Sequence, residues 1–180
     1  YPELAFQVCD ALSLPFEGEF DVVFSNAVFH WIADHDTLLE NVRKALKPGG
    51  QLICEFGGAG NIAAVEQAFN RACEELELAV RAPRFNFPTP EEFSVRLARH
   101  GLAPVQVYDY DRPTPLKDGE QGLANWMQQF FAGQLEALPE QTGQALLARA
   151  EELARPKLWD GGHWTADYRR LRAVARKPVK

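Results

Sequence analysis

Cysteine is scarce in this chain: 180 residues hold three, Cys9, Cys54 and Cys73, an odd number with no close pair. That excludes a disulfide framework and gives no zinc-site spacing. The apolar, strand-like surroundings of Cys9 and Cys54 fit free thiols acting as small hydrophobes. Basic charge is also short. Nineteen Lys and Arg stand against 25 Asp and Glu, for a net charge of -6 and a pI of about 5.3. A nucleic-acid groove would leave a basic footprint, so no nucleic acid is expected and a small molecule is the expected partner. No apolar run approaches the length of a membrane span, and no charged-then-apolar opening reads as a signal peptide. No membrane partner and a cytoplasmic location follow as expectations. Methionine occurs once, at Met127, so Tyr1 does not read as an encoded start and the sequence is expected to be part of a longer polypeptide. Repeats and low-complexity linkers are absent, and nothing in the sequence speaks to oligomeric state.

Apolar residues are plentiful. They make up 46% of the chain, with twelve Phe and four Trp, enough for one sizeable core and a single domain over residues 1–180. Strand and helix patterns alternate, which favours an α/β fold built on a doubly wound, mostly parallel sheet. Phe6 to Cys9 reads as a short strand running into Asp10. The run Phe20 to Ser25 suits a buried central strand. Asp34 or Asp36 caps a helix with Leu38, Leu39, Val42, Ala45 and Leu46 on one stripe, ended by Lys47-Pro48-Gly49-Gly50. A strand from Gln51 to Phe56 leads into glycines and a second helix bearing Ile62, Val65, Phe69, Ala72, Cys73 and Leu76. Thr89-Pro90-Glu91-Glu92 is a capping box with proline at the first helical position. A strand at about Val105 to Tyr110 follows, and residues 112–160 read as a helical insertion broken around Pro139. The alternating segment Tyr168 to Lys177 suits a final antiparallel edge strand with its basic residues outward.

The stretch Phe56-Gly57-Gly58-Ala59-Gly60-Asn61 has the look of a nucleotide-binding loop, because glycines between a strand and a helix let backbone N–H groups approach an anion. Its phase is wrong. Gly-x-Gly-x-x-Gly requires glycine at 57, 59 and 62 or at 58, 60 and 63. A second strand about 20 residues on, ending in an acidic ribose contact, is also missing. The plain reading is a strand-to-helix turn, and the rival is a nicotinamide-dependent reductase that binds through this loop.

The succession Asp10-Ala11-Leu12-Ser13-Leu14-Pro15-Phe16, then Phe20-Asp21-Val22-Val23-Phe24-Ser25-Asn26-Ala27, then Leu46-Lys47-Pro48-Gly49-Gly50 resembles the second half of a class I S-adenosylmethionine-dependent methyltransferase. Downstream, the chain looks most like small-molecule methyltransferases of the trans-aconitate methyltransferase group. The resemblance implies a Rossmann-like sheet with an antiparallel last strand, an N-terminally incomplete domain without the family's glycine-rich motif, S-adenosyl-L-methionine as cofactor, and a small acceptor, a carboxylate among the candidates. It makes Gly57 to Asn61 a decoy for that motif.

Carried over position by position, the resemblance implies that Asp10 accepts from the adenine amino group and that the Ala11 N–H meets the ring. Alone, Asp10 reads as a turn cap. Ser25, Asn26 and Ala27, at the carboxyl end of their strand, would line the methionine part of the cofactor. Phe29, His30 and Trp31 would meet the acceptor, with His30 as catalytic base or polar orienting group; a plain hydrogen-bonded histidine is the rival reading. Arg84 or Arg112 would pair with a substrate carboxylate. A metal at His30, His35, Asp34 and Asp36 fits no common spacing. The resemblance also implies acceptor lids at Arg84-Phe85-Asn86-Phe87 and at the helix of Trp126, Phe130 and Phe131, whose aromatic stripe otherwise reads as core, while Trp159 and Trp164 read as a hairpin pair. An interaction domain without catalysis is the alternative of another class.

Overall fold

The computed structural model describes residues 1–179. The chain forms two compact units, one from residues 1–59, 85–109 and 170 onward, the other from residues 60–84 and 110–169.

The first unit is organised by a four-stranded sheet of order β1-β2-β6-β3, comprising β1 (Phe20–Asn26), β2 (Leu46–Gly57), β3 (Ala103–Asp111) and β6 (Arg169–Arg176). β1 runs parallel to β2, from Val22 opposite Gln51 to Asn26 opposite Glu55. β6 returns antiparallel, from Arg176 opposite Gln51 to Arg170 opposite Gly57. Between β1 and β2 lies α1 (His35–Ala45). Asp34 caps it, accepting the Thr37 N–H at 2.9 Å and the Thr37 hydroxyl at 2.6 Å. Its stripe of Leu38, Leu39, Val42 and Ala45 is buried at helical spacing. At the Pro-Gly-Gly turn a side chain on Gly50 would meet the carbonyls of Lys47 at 2.9 Å and Phe20 at 3.1 Å, so only glycine lets β2 swing in beside β1. α3 (Pro90–Arg99) starts with both arms of its capping box formed: Glu92 N–H to Thr89 Oγ1 at 3.2 Å and Thr89 N–H to Glu92 Oε2 at 2.9 Å. Leu52, Cys54, Phe56, Leu171, Ala173 and Ala175 from the strands close one core with Leu38, Leu39, Val42, Phe93 and Leu97 from α1 and α3.

The sheet overturns three expectations. Phe6 to Cys9 is not a strand: Phe6 is 88% and Val8 103% exposed, because a strand needs a ladder partner and none lies beside it among the described residues. β1 is an edge, not a central strand, with Phe24 70% exposed. β6 is internal and β3 takes the other edge; the alternation of buried Leu171, Ala173 and Ala175 with more exposed arginines reflects one covered face.

In the second unit, α2 (Ala63–Glu75) packs on α6 (Glu140–Leu158), which also meets α4 (Gly122–Phe130) and α5 (Ala132–Glu136). Val65, Phe69, Ala72, Leu146, Leu147 and Ala150 are buried there, and Phe69 meets Phe131 edge-on at 5.0 Å. Pro139 caps α6. A short ribbon of β4 (Thr114–Pro115) and β5 (Thr165–Ala166) completes the unit. Trp159 and Trp164 bridge as the hairpin pair the sequence suggests, 5.2 Å apart, under the Arg155 guanidinium. No helix is long and apolar enough to cross a membrane.

Candidate active site

Two turns flank β1 along the chain. The first is the 3-10 turn Ala11–Ser13, capped by Asp10, whose Oδ1 accepts the Leu12 N–H at 2.9 Å. Asn41 of α1 donates to the Ala11 carbonyl at 3.2 Å and fixes the turn on the helix. One oxygen of Asp10 is thus used as a cap and Oδ2 is left over, while no group among the described residues accepts the Ala11 N–H. Ser25 and Asn26 end β1, and Asn26 is exposed. Ala27 adopts a left-handed φ of 57° and donates its N–H to the Glu55 carbonyl at 2.7 Å, turning the chain out of the sheet.

The second turn is Phe29–Trp31; Phe29, expected to meet an acceptor, is 4% exposed and packs in the core, which leaves His30 and Trp31 as the candidates of this turn. His35, buried in the first turn of α1, anchors it through a 2.9 Å hydrogen bond between Nε2 and the Phe29 carbonyl. Asn86 anchors it from the other side: its N–H donates to the His30 carbonyl at 3.0 Å and its amide to the Ile32 and Ala33 carbonyls at 3.3 and 3.0 Å. That clamp carries in Phe85 and Phe87, stacked at 5.3 Å, with Trp31 edge-on to Phe85 at 5.0 Å. His30 lies within this aromatic group, 5.8 Å from Phe87, and is only 9% exposed.

The His30 ring is held by the backbone. Its Nδ1 accepts the Gly57 N–H at 3.1 Å, so the neutral ring carries its proton on Nε2. Burial first, then the Arg170 charge and His35, lower its pKa from 6.5 to about 4. A proton-accepting role at neutral pH is therefore unavailable to Nδ1 and absent at Nε2. Sequence reasoning met Gly57 only as a loop glycine and Asn86 only as part of the Arg84 to Phe87 lid, and it did not single out Arg170, opposite Gly57 in register; aligning Tyr168 to Lys177 against β2 is the step that reveals it.

Other candidates fall outside this group. Arg84 is exposed, belongs to the second unit and has no ionic partner among the described residues. Asp34 is a cap, and Asp36 takes His100 at 2.9 Å and Arg96 at 3.7 Å. The glycine loop is closed to ligands. Gly58 packs on Leu171, where a methyl would sit 3.1 Å from that residue's Cβ. The Ile62 N–H goes to the Asp167 carbonyl and the Ala64 N–H to its carboxylate, so Asp167 occupies the start of α2 where a phosphate would bind.

The residues present fit part of an S-adenosylmethionine: a carboxylate oxygen beside an unused N–H for adenine, and an exposed polar strand end for the methionine part. Residues 1–54 match the methyltransferase-domain family Methyltransf_11. The chain is 29% identical over 180 residues to an uncharacterised methyltransferase of Schizosaccharomyces pombe, covering 95% of this chain and 67% of that protein. It is 40% identical over 70 residues to a malonyl-[acyl-carrier protein] O-methyltransferase of Xylella fastidiosa, covering 38% of this chain and 24% of that one. Against a trans-aconitate 2-methyltransferase of Methylobacterium radiotolerans the identity is 43% over 55 residues, covering 31% and 21%. The solved YcgJ protein of Bacillus subtilis superposes with a TM-score of 0.58 at 17% identity, over 96% of this chain and 70% of that one. This is a class I methyltransferase fold. The segment that matches the family contains the Asp10 turn, β1 and the Phe29–Trp31 turn. The chain spans about two thirds of the first of these relatives and less than a quarter of the other two, 24% and 21%.

Proposed function

We propose that the protein transfers a methyl group from S-adenosylmethionine to a small-molecule acceptor bearing a carboxylate, in the cytoplasm. The observation that carries this reading is the Phe29–Trp31 turn set just after the polar carboxyl end of β1, with the Asp10 turn held on α1 through Asn41, all within the segment that matches the family. Ligands of open α/β sheets bind at such carboxyl ends. Malonyl and trans-aconitate, the groups in the relatives' names, both carry carboxylates, which supports the choice of acceptor.

The bound cofactor supplies a methyl already activated on a sulfonium. Asp10 Oδ2 accepts from the adenine amino group, the Ala11 N–H donates to the ring, and Ser25, Asn26 and Ala27 line the methionine portion. Trp31, Phe85 and Phe87 exclude water and hold the acceptor in line. A carboxylate oxygen has no proton to lose, so the acceptor needs orientation and no base.

Residues 1–180 contain no family glycine motif, and no strand among the described residues pairs with the outer edge of β1. We therefore propose that the chain by itself is inactive; those two observations equally favour a second reading, a binding or interaction domain without catalysis. Calorimetric titration of S-adenosylhomocysteine into the chain and into the full-length protein, each with and without Asp10→Ala, separates the two. Binding by the full-length protein that Asp10→Ala weakens about tenfold supports methyl transfer. No binding by either leaves the interaction domain.

A further inference from the structure

Resting on that methyl-transfer reading, we infer that His35 is a positioning residue for the acceptor side: its Nε2–H holds the Phe29 carbonyl and sets the Phe29–Trp31 turn, at a cost to stability. Three observations separate this role from plain packing. His35 opens α1 yet is only 1% exposed, boxed by the rings of Phe29, Phe56 and Phe93, centred 6.2, 5.7 and 5.9 Å away. An apolar side chain suits such a place better, because a buried imidazole needs partners for both nitrogens. His35 has a partner for one. Nε2 lies 2.9 Å from the Phe29 carbonyl, which can only accept, so Nε2 carries the proton. Nδ1 is buried with no partner among the described residues.

The carbonyl, moreover, does not depend on the histidine. It already accepts the Ile32 N–H at 3.0 Å. Removing the imidazole strands no acceptor and relieves an unpaired buried nitrogen, so what this bond contributes is direction. Direction is what the turn lacks by itself. It follows Ala27 at a left-handed φ of 57°, and its N-cap residue, Val28, makes no side-chain capping bond. Its anchors come from elsewhere: His35 on the Phe29 carbonyl, the Asn86 N–H on the next carbonyl, that of His30, at 3.0 Å, and the Gly57 N–H on the His30 ring at 3.1 Å. Together they fix where His30 and Trp31 stand. The anchor works as a neutral ring. Burial lowers the His35 pKa and the Phe29 bond opposes this; Arg96 lowers it further, while Asp36 and Asp34 raise it.

The test combines histidine-labelled nitrogen NMR and amide hydrogen exchange on the full-length protein, with S-adenosylhomocysteine titrated into the same samples. At pH 7 the His35 Nε2 should show the shift of an N–H and Nδ1 that of an unprotonated nitrogen. His35→Phe and His35→Leu should hold or raise the urea midpoint, while the Trp31 and Ile32 amides exchange about tenfold faster, the loss of one hydrogen bond. His35→Gln, whose amide can donate to the same carbonyl, should bring exchange back within about threefold of the parent. Affinity for S-adenosylhomocysteine should stay within about twofold in every variant, because Asn41 and not His35 holds the Asp10 turn. With trans-aconitate as acceptor, KM should rise about tenfold in His35→Phe and recover in His35→Gln. A proton on Nδ1 overturns the inference. So do lower urea midpoints in both His35→Phe and His35→Leu, or exchange at the turn that ignores the substitutions. A parent that binds no S-adenosylhomocysteine, or does not turn over, counts against methyl transfer alone, and exchange then decides the positioning.

Discussion

Glu55 and Arg172 face each other across β2 and β6, with the arginine Nε 2.7 Å from Glu55 Oε2. Glu55 is 8% exposed, whereas the Arg172 side chain is about half in solvent. Removing the arginine takes this ion-pair partner from a buried carboxylate, and the pair's solvent-exposed side limits the cost to about 1–3 kcal/mol. Arg172→Met should therefore lower the urea midpoint, and adding Glu55→Gln should restore part of the loss. Additive effects in that double-mutant cycle would show that the two side chains do not couple.

Two buried groups pull stability in opposite directions with pH. His30 is lowered from 6.5 to about 4, so acidification between those values protonates the unfolded chain first, and stability present above 6.5 is lost as pH falls. Glu66 is raised from 4.5 to about 7, by burial and then by the Asp167 charge; its contribution is complete below 4.5 and lost as pH rises through 7. Each slope is about 1.4 kcal/mol per pH unit, and over the shared window they offset. Relative to the parent, His30→Gln should gain stability as pH falls toward 4.5, and Glu66→Gln as pH rises toward 8, each by up to about 3 kcal/mol. Denaturation curves at pH 5 and 8 with parallel differences for both variants would contradict the assignment.

The glycine loop gives a sharper separation of roles. An alanine methyl at Gly58 would lie 3.1 Å from Leu171 Cβ and 3.4 Å from its backbone nitrogen, inside a packed core. Gly58→Ala should cost about 1–2 kcal/mol of stability through this crowding. Its affinity for S-adenosylhomocysteine should stay within twofold of the parent, because Asp167 and not a ligand completes the start of α2. A selective loss of nucleotide affinity, with the melting temperature unchanged, would restore the loop as a binding site.

Local signals account for what the sequence made legible. Asp34, the Thr89 to Glu92 box, the α1 stripe and the Pro-Gly-Gly turn each act within a few residues, and each sits where its chemistry puts it. The positions of strands in the sheet are non-local, and there the reading failed. An apolar run at Phe6 to Cys9 does not say whether a neighbour is present, and the arginines of β6 look outward whether the strand is an edge or has one covered face. The site shows the same division. The turn of Phe29, His30 and Trp31 was legible from its place after a strand, but the burial of Phe29 in the core was not. The protonation pattern of His30 depends on a backbone N–H 27 residues away, and its cationic neighbour is set by strand register, so neither could be read from spacing.

The β1 edge leads to the last prediction. Val23 on this strand turns to the core, while Phe20, Val22 and Phe24 share the opposite face at 37%, 49% and 70% exposure. Apolar side chains beside an unpaired ladder form a template for pairing with another chain. The 180-residue chain should therefore associate in sedimentation velocity at micromolar concentration. Phe24→Lys places a charge on that face without touching the Val23 side, so it should shift the chain toward monomer and leave its circular dichroism unchanged. An association that persists in Phe24→Lys would mean that the contact lies elsewhere. A monomeric, cooperatively melting parent would mean that this edge is protected by its own twist and by the charge of Asp21.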